Sequence, residues 1–163
     1  MLTPLQRKIS TTNWRNSPTV YLAGPMKGMN FQDAVSWRQE VELHMEAFGI
    51  KSFNPLRNCD HLTGVTKIKN TYESNPRTSR RGVFMHGKFA IMKSDAILAN
   101  FLFSEEASIG TSFELAWAHM AHKPIVSVID PSNIHNHPFI LEASDFISSN
   151  LNSAVDILVE LLK

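Results

Sequence analysis

The chain has 163 residues, 43% apolar and 19% charged, with a formal net charge of +1. That suits one globular domain with a full core, and it gives no hint of binding polymeric nucleic acid or a membrane by bulk electrostatics. Cys59 is the only cysteine, which excludes an intramolecular disulfide, and no apolar run approaches a membrane span; a cytoplasmic location is expected.

Residues 1–18 read as a leader, punctuated by Pro4 and Pro18, with Trp14 a candidate anchor; the domain is expected over 19–163. Val20-Tyr21-Leu22-Ala23 is the first strand. Gly24-Pro25-Met26-Lys27-Gly28-Met29-Asn30 follows as a loop. Strand, glycine-bearing loop and helix form the entry to a mononucleotide-binding α/β fold, although this is neither GxGxxG nor a P-loop. Asp33 to Phe48 is an amphipathic helix with Ala34, Trp37, Val41, Met45 and Phe48 on one stripe, and Gly49 is its stop. Ile50-Lys51-Ser52-Phe53 is a short second strand ended by Asn54-Pro55.

Residues 54–80 carry a basic surplus and little periodicity. A segment this long is expected to be a lid, a subunit contact or a solvated basic loop. Arg81 to Lys93 reads as a helix with Phe84, Met85, Phe89 and Met92 as its apolar face. The third strand is the apolar run Ala96-Ile97-Leu98-Ala99-Asn100-Phe101. The fourth is Ile125-Val126-Ser127-Val128-Ile129, followed by a polar loop from Asp130 to Pro138. Phe146-Ile147 is a candidate edge strand. The last helix spans Ser153 to Leu162, with Ala154, Val155, Leu158, Leu161 and Leu162 inward. Strands alternating with helices predict an α/β fold: a single doubly wound, flavodoxin-like or Rossmann-like, parallel five-stranded sheet with helices on both faces.

Ser108-Ile109-Gly110-Thr111-Ser112-Phe113-Glu114 stands where the third strand ends and a helix begins. Free backbone N–H groups and the positive end of the helix dipole favour an anion there, and Gly110 allows a tight turn and a close approach. Glu114 is expected in the first helical turn, with the dipole favouring its charged form. Such a carboxylate can act as a nucleophile or stabilise an oxocarbenium ion; alternatively it merely complements the dipole.

Three segments in order carry a family resemblance: Tyr21-Leu22-Ala23-Gly24-Pro25-Met26, Ser94-Asp95-Ala96-Ile97-Leu98-Ala99-Asn100, and Ser108 to Glu114 with Lys123-Pro124-Ile125-Val126 behind. The chain resembles the nucleoside 2-deoxyribosyltransferases, a family that includes deoxynucleoside 5′-monophosphate N-glycosidases. The resemblance implies cleavage or transfer at an N-glycosidic bond with no metal or redox cofactor. It also implies a homo-oligomer, with helix faces bearing Trp117 as candidate contacts. Glu114 matches the catalytic glutamate, which attacks the anomeric carbon. Tyr21 matches an aromatic position near it. Ala23 and the loop Gly24, Pro25, Met26, Asn30 and Phe31 match the segment covering base and sugar. Ser108 matches a position that is acidic in the nucleoside transferases and serine in the monophosphate hydrolases, where the hydroxyl helps hold the 5′-phosphate. With Gly110 it tilts the substrate toward a nucleotide, and Thr111 is a further candidate substrate contact.

One departure stands out. Many members carry, eight residues before the position of Asp95, an aspartate that hydrogen-bonds the sugar or handles the proton of the base. Here that position is Gly87, between His86 and Lys88. The leaving base needs a proton, and His86 is the candidate substitute because imidazole titrates near neutrality. Asn133 and His135 are candidate ligand contacts. His119 with His122, and His135 with His137, lack the partners of a metal site. A phosphoribohydrolase pattern is weaker, because only Gly110-Thr111 and Glu114 fit it. A nucleotide-binding module that has lost catalysis is the alternative.

Overall fold

The computed structural model of the chain describes residues 16–163, so most of the expected leader, Trp14 included, lies outside the described residues. Five strands form one all-parallel sheet: β1 (Thr19–Ala23), β2 (Lys51–Phe53), β3 (Ala96–Asn100), β4 (Ile125–Val128) and β5 (Phe146–Ser148). Their order is β2-β1-β3-β4-β5, so the chain reverses direction across the sheet between β1 and β3. That is the crevice where open α/β sheets place ligands.

The period-2 alternation of β1 sorts the two layers. Val20 and Leu22 face one core with α1 (Phe31–Glu46) and α5 (Leu151–Leu162). Tyr21 and Ala23 face the other with α2 (Arg80–Lys93), α3 (Ile109–Met120) and α4 (Pro138–Ala143). The β3 and β4 side chains are buried throughout, as near-continuous apolar runs between two helical layers must be. Each fully buried Leu, Ile or Val contributes about 1.5–3 kcal/mol. Asp95 and Asp145 each precede a strand and accept the first N–H of a neighbour, Thr19 at 2.7 Å and Ile125 at 2.9 Å. Asp95 is thus held at the strand's N-terminal end, away from the crevice.

Capping moves several predicted boundaries. Asn30 accepts from Gln32 N–H at 2.8 Å and starts α1 at Phe31. Gly49, at φ 76°, follows its end. Phe48 therefore falls beyond the helix and is 51% exposed, stacking on His44 rather than extending the stripe. Asn150 likewise caps α5 two residues earlier than expected, and Val159 rather than Leu161 is buried. The short α4 was not expected; His137 caps it and Pro138 occupies its first turn, a position proline suits.

The largest correction concerns α2. Its expected apolar face is outside: Phe84, Met85, Phe89 and Met92 are 43%, 45%, 58% and 53% exposed, whereas Ala90 and Ile91 are buried. The opposite stripe carries Gly87, Ala90 and Ile91, and small residues there let the helix backbone approach the sheet. Phe84 instead meets the Trp117 edge at 5.0 Å on α3.

The segment between β2 and α2 is not simply solvated. Leu56, Cys59, Leu62 and Ile68 form a third apolar cluster with Phe31 and Ala34. Gly28 and Phe31 donate to Ile68 and Val65 carbonyls at 2.8 and 2.9 Å, and Ile68 donates to Met29 at 2.9 Å. The β1–α1 loop and this segment are thereby joined into one wall.

Candidate active site

A cavity of about 940 Å³ opens at the C-terminal edge of β1 and β3, at the upper end of the ~300–1,000 Å³ usual for small-molecule sites. Tyr21 and Glu114 both line it. Tyr21 comes from the middle of β1 and points toward α3, whose second turn carries Glu114. The Tyr21 hydroxyl donates to Glu114 Oε1 at 2.6 Å, and the carboxylate makes no other hydrogen bond among the described residues.

The expected electrostatics of Glu114 are reversed. Ser108 is the N-cap of α3, so Glu114 lies beyond the first turn, where the dipole's effect has fallen off. Burial dominates and pushes its carboxyl from 4.5 up to about 7; the Tyr21 hydrogen bond and the Arg38 charge offset part of that rise. Burial, then the Glu114 charge, holds the Tyr21 hydroxyl well above its ordinary range, so it remains a donor. Arg38 is fully buried beneath the site. It donates to the carbonyls of Leu22, Ala34 and Gly24 at 3.3, 2.6 and 3.0 Å, and burial lowers it to about 10, so it remains charged at neutral pH. It ties the end of β1 to α1. Gly24 leaves no room beside it: a Cβ there would lie 2.8 Å from the Asn100 carbonyl oxygen and 3.1 Å from Trp37.

The N-terminal turn of α3 forms the opposite wall. The Ser108 hydroxyl accepts from Thr111 N–H at 3.3 Å and lies 2.8 Å from the Thr111 hydroxyl. Gly110 is not in the left-handed region, and a Cβ there would meet no protein atom within 4 Å. No turn requires this glycine; the space beside it is open to the cavity. Lys27 and Glu106 pair at 3.3 Å between the two crevice loops, an exposed bridge worth about 0–1 kcal/mol.

Of the predicted site residues, Tyr21, Gly24, Pro25, Met26, Asn30, His86, Ser108, Gly110, Thr111 and Glu114 line the cavity. His86 is exposed there. Four others do not line it. Ala23 packs in the sheet core, and Phe31 in the third cluster. Asn133 donates to the Phe101 carbonyl at 2.9 Å, and its Oδ1 accepts the His135 backbone N–H and Nδ1–H, each at 2.9 Å. That leaves His135 Nε2 to accept the Ser108 N–H at 2.7 Å. Both residues brace the cavity wall from behind.

His135 is 4% exposed, and burial lowers its pKa. The folded protein therefore favours the neutral ring, and its stabilising contribution is present above pH ~6.5 and lost as pH falls. His135→Leu is expected to cost about 1–3 kcal/mol by leaving Ser108 N–H without an acceptor. Urea denaturation at pH 8 measures it, and the deficit should shrink at pH 5.

Sequence reasoning did not find Arg38 or Arg77. Arg38 is a charged residue on the buried face of α1, and Arg77 enters the sequence reading only through the basic surplus of residues 54–80. Gly87 was found by its departure, and the fold shows its place: a Cβ there would lie 3.4 Å from Glu114 Oε1 and 3.8 Å from the Tyr21 hydroxyl. A side chain at this position would stand beside the glutamate. Among the described residues, no three His, Cys, Asp or Glu side chains gather as a metal site, and no helix is long and apolar enough to cross a membrane.

A doubly wound sheet with a tyrosine–glutamate pair at its switch point defines the class: an α/β protein with a cavity at the C-terminal edge of its strands. Residues 20–153 match the family described as nucleoside 2-deoxyribosyltransferase. The chain belongs to the nucleoside 2-deoxyribosyltransferase family, whose chemistry is glycosyl transfer. It is similar in fold to a 2-deoxyribosyltransferase from the psychrotolerant bacterium Bacillus psychrosaccharolyticus. That match is 17% identical, covers 85% of this chain and 90% of that one, and has a TM-score of 0.55. A molybdenum cofactor binding protein from the phototrophic bacterium Rippkaea orientalis is similar at 15% identity, with 91% and 99% coverage and a TM-score of 0.57. At these identities the likenesses speak for the fold alone. None of the curated proteins matches the chain in sequence.

Proposed function

We propose that the protein, acting as one domain over 19–163, cleaves or transfers at the N-glycosidic bond of a deoxynucleoside or its 5′-monophosphate, with Glu114 as nucleophile. The observation that carries this reading is the 2.6 Å contact from Tyr21 to Glu114 Oε1 at the cavity floor. Tyr21 orients the carboxylate and keeps one oxygen occupied. The other attacks C1′ as the C1′–N bond breaks, and the electron pair leaves with the base. The resulting ester is resolved by water or a second base, which restores the carboxylate. The phosphate would sit at the α3 N-terminus, where Ile109 and Gly110 N–H groups precede the first intrahelical bonds and Ser108 and Thr111 add hydroxyls. His86, at the cavity wall, is the candidate proton donor for the base.

The test is free base released from deoxynucleosides, ribonucleosides and their monophosphates, detected by chromatography with mass detection, with Glu114→Ala as control. Release by the unmodified protein only is the expected result; a second base in the mix separates transfer from hydrolysis. The second reading is a nucleotide-binding module without turnover, favoured by Gly87, which leaves bare the position beside Glu114. Tight nucleotide binding with no release from any substrate would establish that reading instead. Self-association is also proposed, through the exposed Phe84, Phe89, Met92, Phe113 and Met120 on α2 and α3. Light scattering would then give a mass above 18.4 kDa.

A further inference from the structure

Arg77 lines the same cavity as Tyr21 and Glu114. Its backbone is held firmly. Its N–H donates to Asn75 Oδ1 at 2.9 Å, and Tyr72 N–H bonds the Thr78 carbonyl at 2.7 Å. The backbone at Pro76 and Arg77 also rests directly on Gly82 of α2. The guanidinium has no such tie. It is half-buried and forms no ion pair among the described residues, and its Nε is buried without an acceptor. Its charge reaches Tyr21. That Nε is closed off from the cavity, so a ligand's acceptor would meet the terminal guanidinium nitrogens, which make no hydrogen bond or ion pair among the described residues.

Gly87 lines the same cavity; the family resemblance leads one to expect there an aspartate that hydrogen-bonds the sugar or handles the proton of the base, and His86 is the donor left for a base that can be protonated. Arginine cannot take over proton donation, because a guanidinium does not release its proton. It can stabilise negative charge. Bases with a basic ring nitrogen leave readily once protonated. A dioxopyrimidine has no such nitrogen; it departs as an anion at N1, with the charge spread over the adjacent carbonyl oxygens. Those oxygens are acceptors of the kind a guanidinium fork binds.

We propose that Arg77 receives the departing base, and that the preferred substrate carries a dioxopyrimidine rather than a purine. This rests on the glycosidic reading above and names its substrate class. As the Glu114–C1′ bond forms, the C1′–N1 pair moves onto the base, and Arg77 donates to the carbonyl oxygen beside N1. Water then attacks C1′; its hydroxyl stays on the sugar, its proton neutralises the base anion, and Glu114 is released.

The experiment compares kcat/KM for 2′-deoxyuridine, its 5-fluoro derivative and 2′-deoxyadenosine, each also as the 5′-monophosphate, in the unmodified protein and in Arg77→Met. The dioxopyrimidines should be preferred. Arg77→Met should lose about 10²–10³-fold on 2′-deoxyuridine substrates, the usual cost of removing a donor to developing charge, and no more than about threefold on the purine. The 5-fluoro substrate, whose anion is more stable, should lose less. Arg77→Lys keeps the charge without the planar fork and should fall between, which covers a poorly folded Met variant. Equal losses on both bases, or a purine preference, would overturn the proposal while leaving Glu114-dependent turnover standing. No turnover of any substrate would overturn it together with the glycosidic reading.

Discussion

Glu114→Gln is expected to abolish base release while making the folded protein more stable at pH 8. With Glu114 as the proposed nucleophile, its removal should cost about 10⁴-fold or more in kcat, the scale seen when a group acting as part of one catalytic unit is lost. The stability effect follows from burial. The folded carboxyl titrates at about 7 against 4.5 for the ordinary group, so between those values the folded state holds the proton more tightly than the unfolded chain. The stabilisation from this group is complete below pH 4.5 and is lost as pH rises through 7. At 1.36 kcal/mol per unit, the charged carboxylate costs the fold about 2–3 kcal/mol at pH 8, the lower figure allowing for solvent at the cavity mouth. Glutamine is neutral at every pH and still accepts the Tyr21 hydroxyl. Urea denaturation at pH 5 and pH 8 checks this: the two proteins should match at pH 5 and separate at pH 8. Under the proposed mechanism the pH profile of kcat/KM should carry the same signature, falling as pH drops below about 7 because Glu114 acts in its ionised form. Equal stability of the two proteins at both pH values would mean that burial does not tune this carboxyl.

Gly82→Ala is expected to be the most disruptive single methyl in the described chain, and Gly110→Ala the least. Both glycines lie in the first turn of a helix. At Gly82 a Cβ would stand 1.9 Å from the Pro76 carbonyl oxygen and 2.7 Å from that of Arg77. Both obstacles are backbone, so no rotamer change relieves them. Overpacking costs about 1–3 kcal/mol where side chains can yield, and more is expected here. The loop presenting Arg77 must shift, and the Ser79 hydroxyl's bond from Gly82 N–H, 3.1 Å, would be strained with it. At Gly110 the added methyl meets nothing within 4 Å, and alanine favours helix by up to about 1 kcal/mol. That variant should be as stable as the parent or more so, yet bind monophosphates less well if they sit where proposed, because its methyl points into the cavity. Thermal melts and nucleotide titrations on the two variants measure both effects. An unaffected melt for Gly82→Ala would mean that the Pro76–Arg77 crossing adjusts freely.

Much of the architecture was determined locally. The β3 and β4 runs are apolar at nearly every position, and only a strand buried on both faces tolerates that. Asn54-Pro55 ends β2, and Gly49 follows α1, where the chain needs a positive φ. The alternation of β1 is enough to put Tyr21 and Ala23 on one face and Val20 and Leu22 on the other. The link between Ser108 and Glu114 is local as well, since both belong to the start of one helix.

Other features depended on the tertiary structure. Apolar side chains nearly encircle α2, so periodicity alone did not choose its buried face. The choice fell to Gly87 and Ala90, because a helix can lie close to a sheet only along its smallest residues. The ionisation of Glu114 followed burial rather than the helix dipole, and burial is a property of the assembled cavity. His135 and Asn133 carry polar groups suited to a ligand, but packing spends those groups on the backbone of residues 101 and 108. The distance from Gly87 to Glu114 spans two helices, and the place of Arg77 in the cavity lining depends on a crossing over Gly82. Such relations arise from long-range packing, and no spacing along the chain encodes them directly.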